Sequence, residues 1–220
     1  MKEKEQKDKI DLWQYEKELY KKGINLIGGV DEAGRGPLVG NVVAACCVLP
    51  KNFKLDGLTD SKKLSEKKRE EFYPYIIEHC IAYGVGEVTP EEIDEINIYE
   101  ASRKAMMIAI QKVMDQIDLE YVLTDAMPLP NLTIDHLPII KGDAKSISIA
   151  AASVIAKVTR DKELKDLDEK YPMYGFKDHK GYPTKKHLEA IKKYGLIEGY
   201  RKTYKPVMQI LKGENNETIN

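Results

Sequence analysis

Four carboxylates stand where acids are unusual. Asp31 and Glu32 follow an apolar run, 26–30, that reads as a strand. Asp125 ends a second such run, 121–124, and Asp143 follows a third, 137–140. If those strands lie side by side, carboxylates at their ends can converge on one small volume. Converging carboxylates repel, and each raises the pKa of the others. A divalent cation removes that repulsion, and hard oxygen donors select Mg²⁺ or Mn²⁺ over zinc. Two such ions can clamp a phosphodiester. Metal-dependent phosphodiester hydrolysis is therefore the chemistry expected of Asp31, Glu32, Asp125 and Asp143. Taken singly, each acid has an ordinary structural explanation. Asp143 can cap a helix, Asp125 can stop a strand before Met127-Pro128, and Asp31 with Glu32 can be an exposed loop pair. Their occurrence together, beside a glycine-rich loop, favours the chemistry.

That loop runs on as Ala33-Gly34-Arg35-Gly36-Pro37, and Gly28 and Gly29 precede the two acids. Glycine tolerates positive φ and lets backbone N–H groups approach a ligand. Successive N–H groups make a concavity suited to phosphate or sugar oxygens. A plain glycine turn between strands is the structural alternative. The spacing is not GxxxxGK[ST] and no helix follows, so neither a P-loop nor a dinucleotide fingerprint is indicated. Other side chains suit phosphate: Ser61, Lys62 and Lys63, then Lys145, Ser146 and Ser148 near a helix start, where the helix field favours anions. Lys177, His179, Lys180, Lys185 and Lys186 surround Tyr182, a mixture suited to backbone contact with stacking. Tyr171, Tyr174 and Phe176 read as packing residues. His79, His136 and His187 read as surface or packing residues, with His179 open.

The elements that must position these groups follow from periodicity. Strands are expected at 26–31, 39–49, 80–88, 121–125 and 137–141, the first three as an antiparallel meander. A short amphipathic helix around 13–20 precedes them, stopped by Gly23. A polar helix is expected at 65–79. Thr89, Pro90 and Glu92 make a helix-start signal, and a long helix is expected over 98–117, with Ile98, Ala101, Ala105, Ala109 and Val113 on one face. A small-residue helix is expected over 146–157 and a last one over 184–194. The fold class is α/β, a mixed five-stranded sheet flanked by helices. Residues 1–24 read as a polar, helical segment, 25–212 as the catalytic domain with a helical C-terminal part, and 213–220 as a disordered tail. The first ten residues are expected to fray.

The 220-residue chain is 42% hydrophobic, enough for a real core, which excludes global disorder. No apolar run approaches the ~18 residues a membrane span needs, and the charged N-terminus is not signal-like. A soluble cytoplasmic protein is expected. Cys46 and Cys47 are neighbours, so on a strand they face opposite ways and form neither an ordinary disulfide nor a metal pair. Net charge is −1, but residues 157–205 carry 14 Lys and Arg against 8 Asp and Glu, whereas 1–156 carry 20 against 26. A basic C-terminal third beside an acidic body fits a polyanionic partner, and it equally fits a solvated helix face.

The string Asp31-Glu32-Ala33-Gly34-Arg35-Gly36 after an apolar strand resembles the signature of ribonuclease HII, the prokaryotic type 2 ribonuclease H family. The resemblance extends over 27–207. It takes in the stretch 59–65, Thr124-Asp125, Lys141-Gly142-Asp143, the stretch 148–157, Tyr174-Gly175-Phe176 and 179–184. It implies an RNase H-like fold with a helical C-terminal appendage and Mn²⁺- or Mg²⁺-dependent hydrolysis. The implied substrates are RNA–DNA hybrids and duplex DNA containing ribonucleotides, cut 5′ to the ribonucleotide to leave a 3′-OH and a 5′-phosphate. The tetrad would fall on Asp31, Glu32, Asp125 and Asp143. Gly34, Arg35 and Gly36 would contact the backbone around the ribonucleotide 2′-OH, the group that distinguishes RNA from DNA. Tyr182 would stack on the following sugar. Ser61, Lys62, Lys63, Lys145, Ser148 and Lys180 complete the expected substrate contacts. Asn41 departs from the proline expected there, and 200–204 is a softened form of a basic-basic-Ser-Phe segment. The related ribonuclease HIII usually has lysine where Arg35 stands. A monomer without a protein partner is expected.

Overall fold

The computed structural model describes residues 11–213. The fraying expected of 1–10 and the disorder expected of the tail from 214 lie outside the described residues. In chain order the elements are α1 (Gln14–Lys21), β1 (Ile27–Ala33), β2 (Val42–Val48), α2 (Glu66–His79), β3 (Ala82–Val88), α3 (Pro90–Met114), β4 (Tyr121–Asp125), β5 (His136–Ile139), α4 (Ile147–Lys170), α5 (Phe176–His179), α6 (Lys185–Tyr194) and α7 (Lys205–Leu211). The sheet order is β3-β2-β1-β4-β5. The first three strands form the expected antiparallel meander, and β4 and β5 add in parallel. The α/β class and the mixed five-stranded sheet are as expected. Among the described residues no helix is long and apolar enough to cross a membrane.

Strand alternation sorts side chains onto two cores. Val30, Val42, Ala44 and Cys46 pack with Ala101, Ala105 and Ala109 of α3 on one face. Ala45 and Cys47 pack with Phe72 of α2 and Ala150, Ala151 and Ala152 of α4 on the other. The adjacent cysteines therefore point to opposite faces, both buried and free. The small residues of α4 let it sit directly on β1. A Cβ on Gly29 would come within 2.0 Å of the Ser148 backbone carbon. Gly29 therefore serves helix-on-strand contact, rather than the ligand approach its place in the glycine-rich loop suggested.

Two helices differ from expectation. The helix expected from residue 98 begins at Pro90, where the Thr89 hydroxyl accepts from Glu92 N–H, and it breaks at Asn97 (φ 68°). The Asn97 side chain restarts it by accepting from Tyr99 and Glu100 N–H groups. The helix expected to end near 157 continues to Lys170, because its second half buries Arg160, Asp161, Leu164 and Asp168. α7 was not foreseen. Beyond α4, Tyr174, Phe176, Ile191, Tyr200 and Val207 close a separate cluster on Leu38 and Val39. That cluster attaches the helical C-terminal part to the loop between β1 and β2, where Val39 bridges Tyr200.

Candidate active site

The β1–β4 pair is parallel, with Val30 opposite Thr124. Asp31 and Asp125 follow those positions and point to the α4 face, while Glu32 alternates to the other side. Asp143 arrives on the 3₁₀ turn Gly142–Ala144, after Lys141 in the left-handed region (φ 57°). That turn is fixed by Gly142 N–H, which donates to Asp125 Oδ1 at 2.7 Å. One carboxylate oxygen from each of Asp31, Asp125 and Asp143 lies within 4.8 Å of the other two. Asp143 is not the helix cap. Ser146 caps α4, its hydroxyl accepting from Ile149 N–H at 3.2 Å.

This convergence is costly and displaces the carboxyl pKa values. Burial raises Asp31 well above the usual carboxylate range, and the charges of Glu32 and Asp125 push it further. Burial and then Asp125 raise Asp143 to about 6. Glu32 is raised by burial, opposed by Arg35, which pairs with its Oε1 at 3.3 Å. Its other oxygen is buried with no partner. Lys62 is the local counter-charge, its ammonium 3.9 Å from Asp143. Burial lowers the Lys62 pKa, but Asp31, Asp143 and Asp60 outweigh it and the net shift is upward. An all-oxygen donor set with one orphaned carboxylate oxygen fits a hard divalent cation.

Asp31, Glu32 and Asp125 floor an open cleft of about 320 Å³, lined also by the Ala33–Gly36 loop, Ser61, Lys62, Lys157, Arg160 and Tyr182, with Asp143 outside its lining but within reach of Asp31 and Asp125. Gly34 takes φ 93°, and a Cβ there would lie 2.2 Å from Arg160 Nε. Gly36 lies under the Tyr182 ring, with room for no more than a tight Cβ at 3.1 Å. The loop is held from behind. Arg201, fully buried, donates to the carbonyls of Arg35, Pro37 and Gly40, and Tyr204 O–H donates to Arg35 O at 2.6 Å. Arg160 donates to Val39 O and Lys180 O, tying the loop to the turn that presents Tyr182.

The family pattern described as Ribonuclease HII matches residues 28–208. Ribonuclease HII from Bacillus mycoides (strain KBAB4) is 53% identical over 209 residues, 95% of this chain and 80% of that one. The chain belongs to the ribonuclease HII family. Among solved structures, ribonuclease H2 from Pyrococcus horikoshii OT3 is similar at a TM-score of 0.72 and 29% identity, covering 86% of this chain and 99% of that one. Bst-RNase HIII, crystallised with Mn²⁺, shares the fold at a TM-score of 0.65 and 17% identity, covering 87% and 70%. Ribonuclease HII membership makes the chain a ribonuclease H, a nuclease of the hydrolase class.

Of the residues singled out from the ribonuclease HII motifs, Asp31, Asp125 and Asp143 come together, with Glu32 beside them on the opposite side of β1. Gly34, Arg35, Gly36, Ser61, Lys62 and Tyr182 line the same cleft. Lys63 and Lys145 are absent from its lining. The Lys180 ammonium pairs with Glu66 of α2 at 3.3 Å. Ser148 is buried, and the helix N-terminus expected to take phosphate there is filled from within: Glu16 of α1 accepts from Ser148 N–H. Lys157 and Arg160 were missed, although 157, 160, 161 and 164 continue the inward face of α4 at helical spacing. Arg201 and Tyr204 lie in the 200–204 segment, whose resemblance gave no role to either side chain, and Glu16 carries no local signal.

Proposed function

We propose that the cleft hydrolyses the phosphodiester on the 5′ side of a ribonucleotide in duplex DNA, and the RNA strand of RNA–DNA hybrids, leaving 3′-OH and 5′-phosphate ends. The observation that carries this is the meeting of three carboxylates under a Gly34–Gly36 loop that faces Tyr182. Asp31, Glu32, Asp125 and Asp143 would hold Mg²⁺ or Mn²⁺ ions. When bound, these supply Lewis acidity to the attacking water and the departing oxygen. The chain's own groups do the selecting. N–H groups of the Gly34-Arg35-Gly36 loop meet the sugar-phosphate backbone and its 2′-OH, and only glycine at 34 lets that loop pass over Arg160. Tyr182, 46% exposed, offers its ring to the sugar beyond the junction. Lys62 and Ser61 approach the phosphate from the opposite wall, with Lys63 and Lys145 outside the cleft. Three free thiols suit the reducing cytoplasm, where we place this work.

The test is a labelled DNA duplex with one ribonucleotide, incubated with Mn²⁺, with Mg²⁺ and with EDTA, beside an all-DNA duplex and a long hybrid. Metal-dependent cutting 5′ to the ribonucleotide is expected. Cutting confined to the long hybrid would remove the junction reading, and equal cutting of all-DNA would remove 2′-OH selection.

A further inference from the structure

Glu16 is a fully buried carboxylate on an eight-residue helix, 130 residues in sequence from the Ser146 that it meets. Its Oε1 accepts from Ser146 Oγ at 2.6 Å and from Ser148 N–H at 3.1 Å. Its Oε2 has no partner. Burying an ionised carboxylate without full pairing is costly, and burial raises the Glu16 pKa against the pull of both serines. An ordinary amphipathic helix would keep such a residue in water.

The first N–H groups of a helix lack intrahelical partners and need others. On α4 all of the first three are accounted for. Ile147 N–H donates to Leu12 O at 2.8 Å, Ser148 N–H to Glu16, and Ile149 N–H to Ser146 Oγ. Two of these acceptors come from the N-terminal segment, and the third is itself held by Glu16. Ser146 is also the end of the Asp143 turn, for its N–H donates to Gly142 O at 2.8 Å. Asp143 therefore sits between two clamps, Asp125 on Gly142 and Glu16 on Ser146.

We propose that Glu16 is a positioning residue for the active site, acting through Ser146 to set the Gly142–Ala144 turn and hence the Asp143 carboxylate. This rests on the reading of Asp143 as a metal ligand. It makes the N-terminal helix part of the machinery rather than an appendage. The glutamate works as a double acceptor, so glutamine, whose carbonyl oxygen can accept both bonds, replaces it, and alanine does not.

The experiment is Mn²⁺ binding to the full chain by calorimetry, with steady-state cleavage of a hybrid alongside. Wild type, Asp143→Asn, Glu16→Ala, Glu16→Leu and Glu16→Gln are compared at a temperature where circular dichroism shows each folded. Asp143→Asn is expected to weaken Mn²⁺ binding strongly. Glu16→Ala and Glu16→Leu are expected to weaken it about tenfold, a usual effect of losing a partner behind a ligand, and to lower kcat with KM for the hybrid unchanged. Glu16→Gln should stay within about twofold of wild type on both readouts, because the acceptor is kept. Leucine keeps α1 packed where alanine leaves a cavity, so a loss in both separates positioning from collapse. Unchanged Mn²⁺ binding in Asp143→Asn would sink the ligand reading itself. A loss there with wild-type binding in Glu16→Ala and Glu16→Leu would overturn the Glu16 inference alone, as would a Glu16→Gln variant no better than alanine.

Discussion

At the scale of single residues, the cleft is a set of charges held together against their own repulsion. Asp125 carries two duties, one oxygen accepting from Gly142 N–H and the carboxylate facing Asp31 and Asp143. Asn keeps an acceptor for Gly142 but removes the charge. Asp125→Asn should therefore fold normally and lose about 10²–10⁴ in kcat on a hybrid at saturating metal. Cleavage within a few-fold of wild type would take Asp125 out of the chemistry. Gly34 is constrained twice, by φ 93° and by Arg160 Nε where its Cβ would go. Gly34→Ala should cost about 3 kcal/mol in urea unfolding, from left-handed strain plus overpacking, and should reduce preference for a single ribonucleotide more than cleavage of a long hybrid. A variant as stable as wild type would mean that Arg160 gives way freely. The four acids and Gly34 were legible because strand ends and glycine spacing mark them locally. Arg160 and Glu16 were not, because the groups they hold, Val39 O and Ser146, lie 121 and 130 residues away in sequence.

At the scale of elements, α6 and the turn before it show how a loop residue is made rigid. Lys180 and Gly181 both adopt positive φ, 51° and 79°, and two histidines brace them. His179 Nδ1 accepts from Gly181 N–H, and His187 Nδ1 donates to Tyr182 O. The two rings stack at 4.3 Å. Burial lowers the His187 pKa to about 4, against the pull of the Tyr182 carbonyl, with His179 adding to the fall. The unfolded chain takes up that proton first. The contribution of neutral His187 is thus complete above the ordinary histidine pKa of 6.5 and is lost as pH falls toward about 4. Between those limits the wild type should lose about 2 kcal/mol more than His187→Gln in matched urea titrations. Parallel pH profiles for the two proteins would show that His187 is not held neutral. This brace was invisible beforehand because its bonds join a turn, a helix and Tyr200 through tertiary contact. Where structure is local, as in the Thr89-Pro90-Glu92 helix start or the polar helix expected over 65–79, sequence and structure agree. It slipped where burial overrode periodicity, as in the second half of α4, or where a side chain rebuilt a helix, as at Asn97.

At the scale of the whole molecule, the central sheet is a platform that delivers strand ends to one edge, with α1 and the C-terminal cluster tightening that edge from two sides. α1 reaches the Asp143 turn through Glu16, and the C-terminal cluster reaches the Gly34–Gly36 loop through Arg201 and Tyr204. At that edge like charges are held close, and their repulsion opposes folding. Asp31 is held above its ordinary pKa first by burial and then by Glu32 and Asp125, so its ionised form destabilises the metal-free fold at neutral pH. Replacing it by Asn removes the charge and most of the penalty. Metal-free Asp31→Asn should therefore melt above metal-free wild type. Mn²⁺ at about a hundred times its dissociation constant should add about 2.7 kcal/mol to the wild type by mass action, or roughly 5–10 °C for a chain of this size. Asp31→Asn should gain little from the same addition, so the advantage of the variant shrinks on adding metal. Differential scanning calorimetry in EDTA and in Mn²⁺ reads all four states. If wild type in EDTA melts at or above the variant, the repulsion is relieved by the chain itself, and the carboxylates are not waiting for a cation.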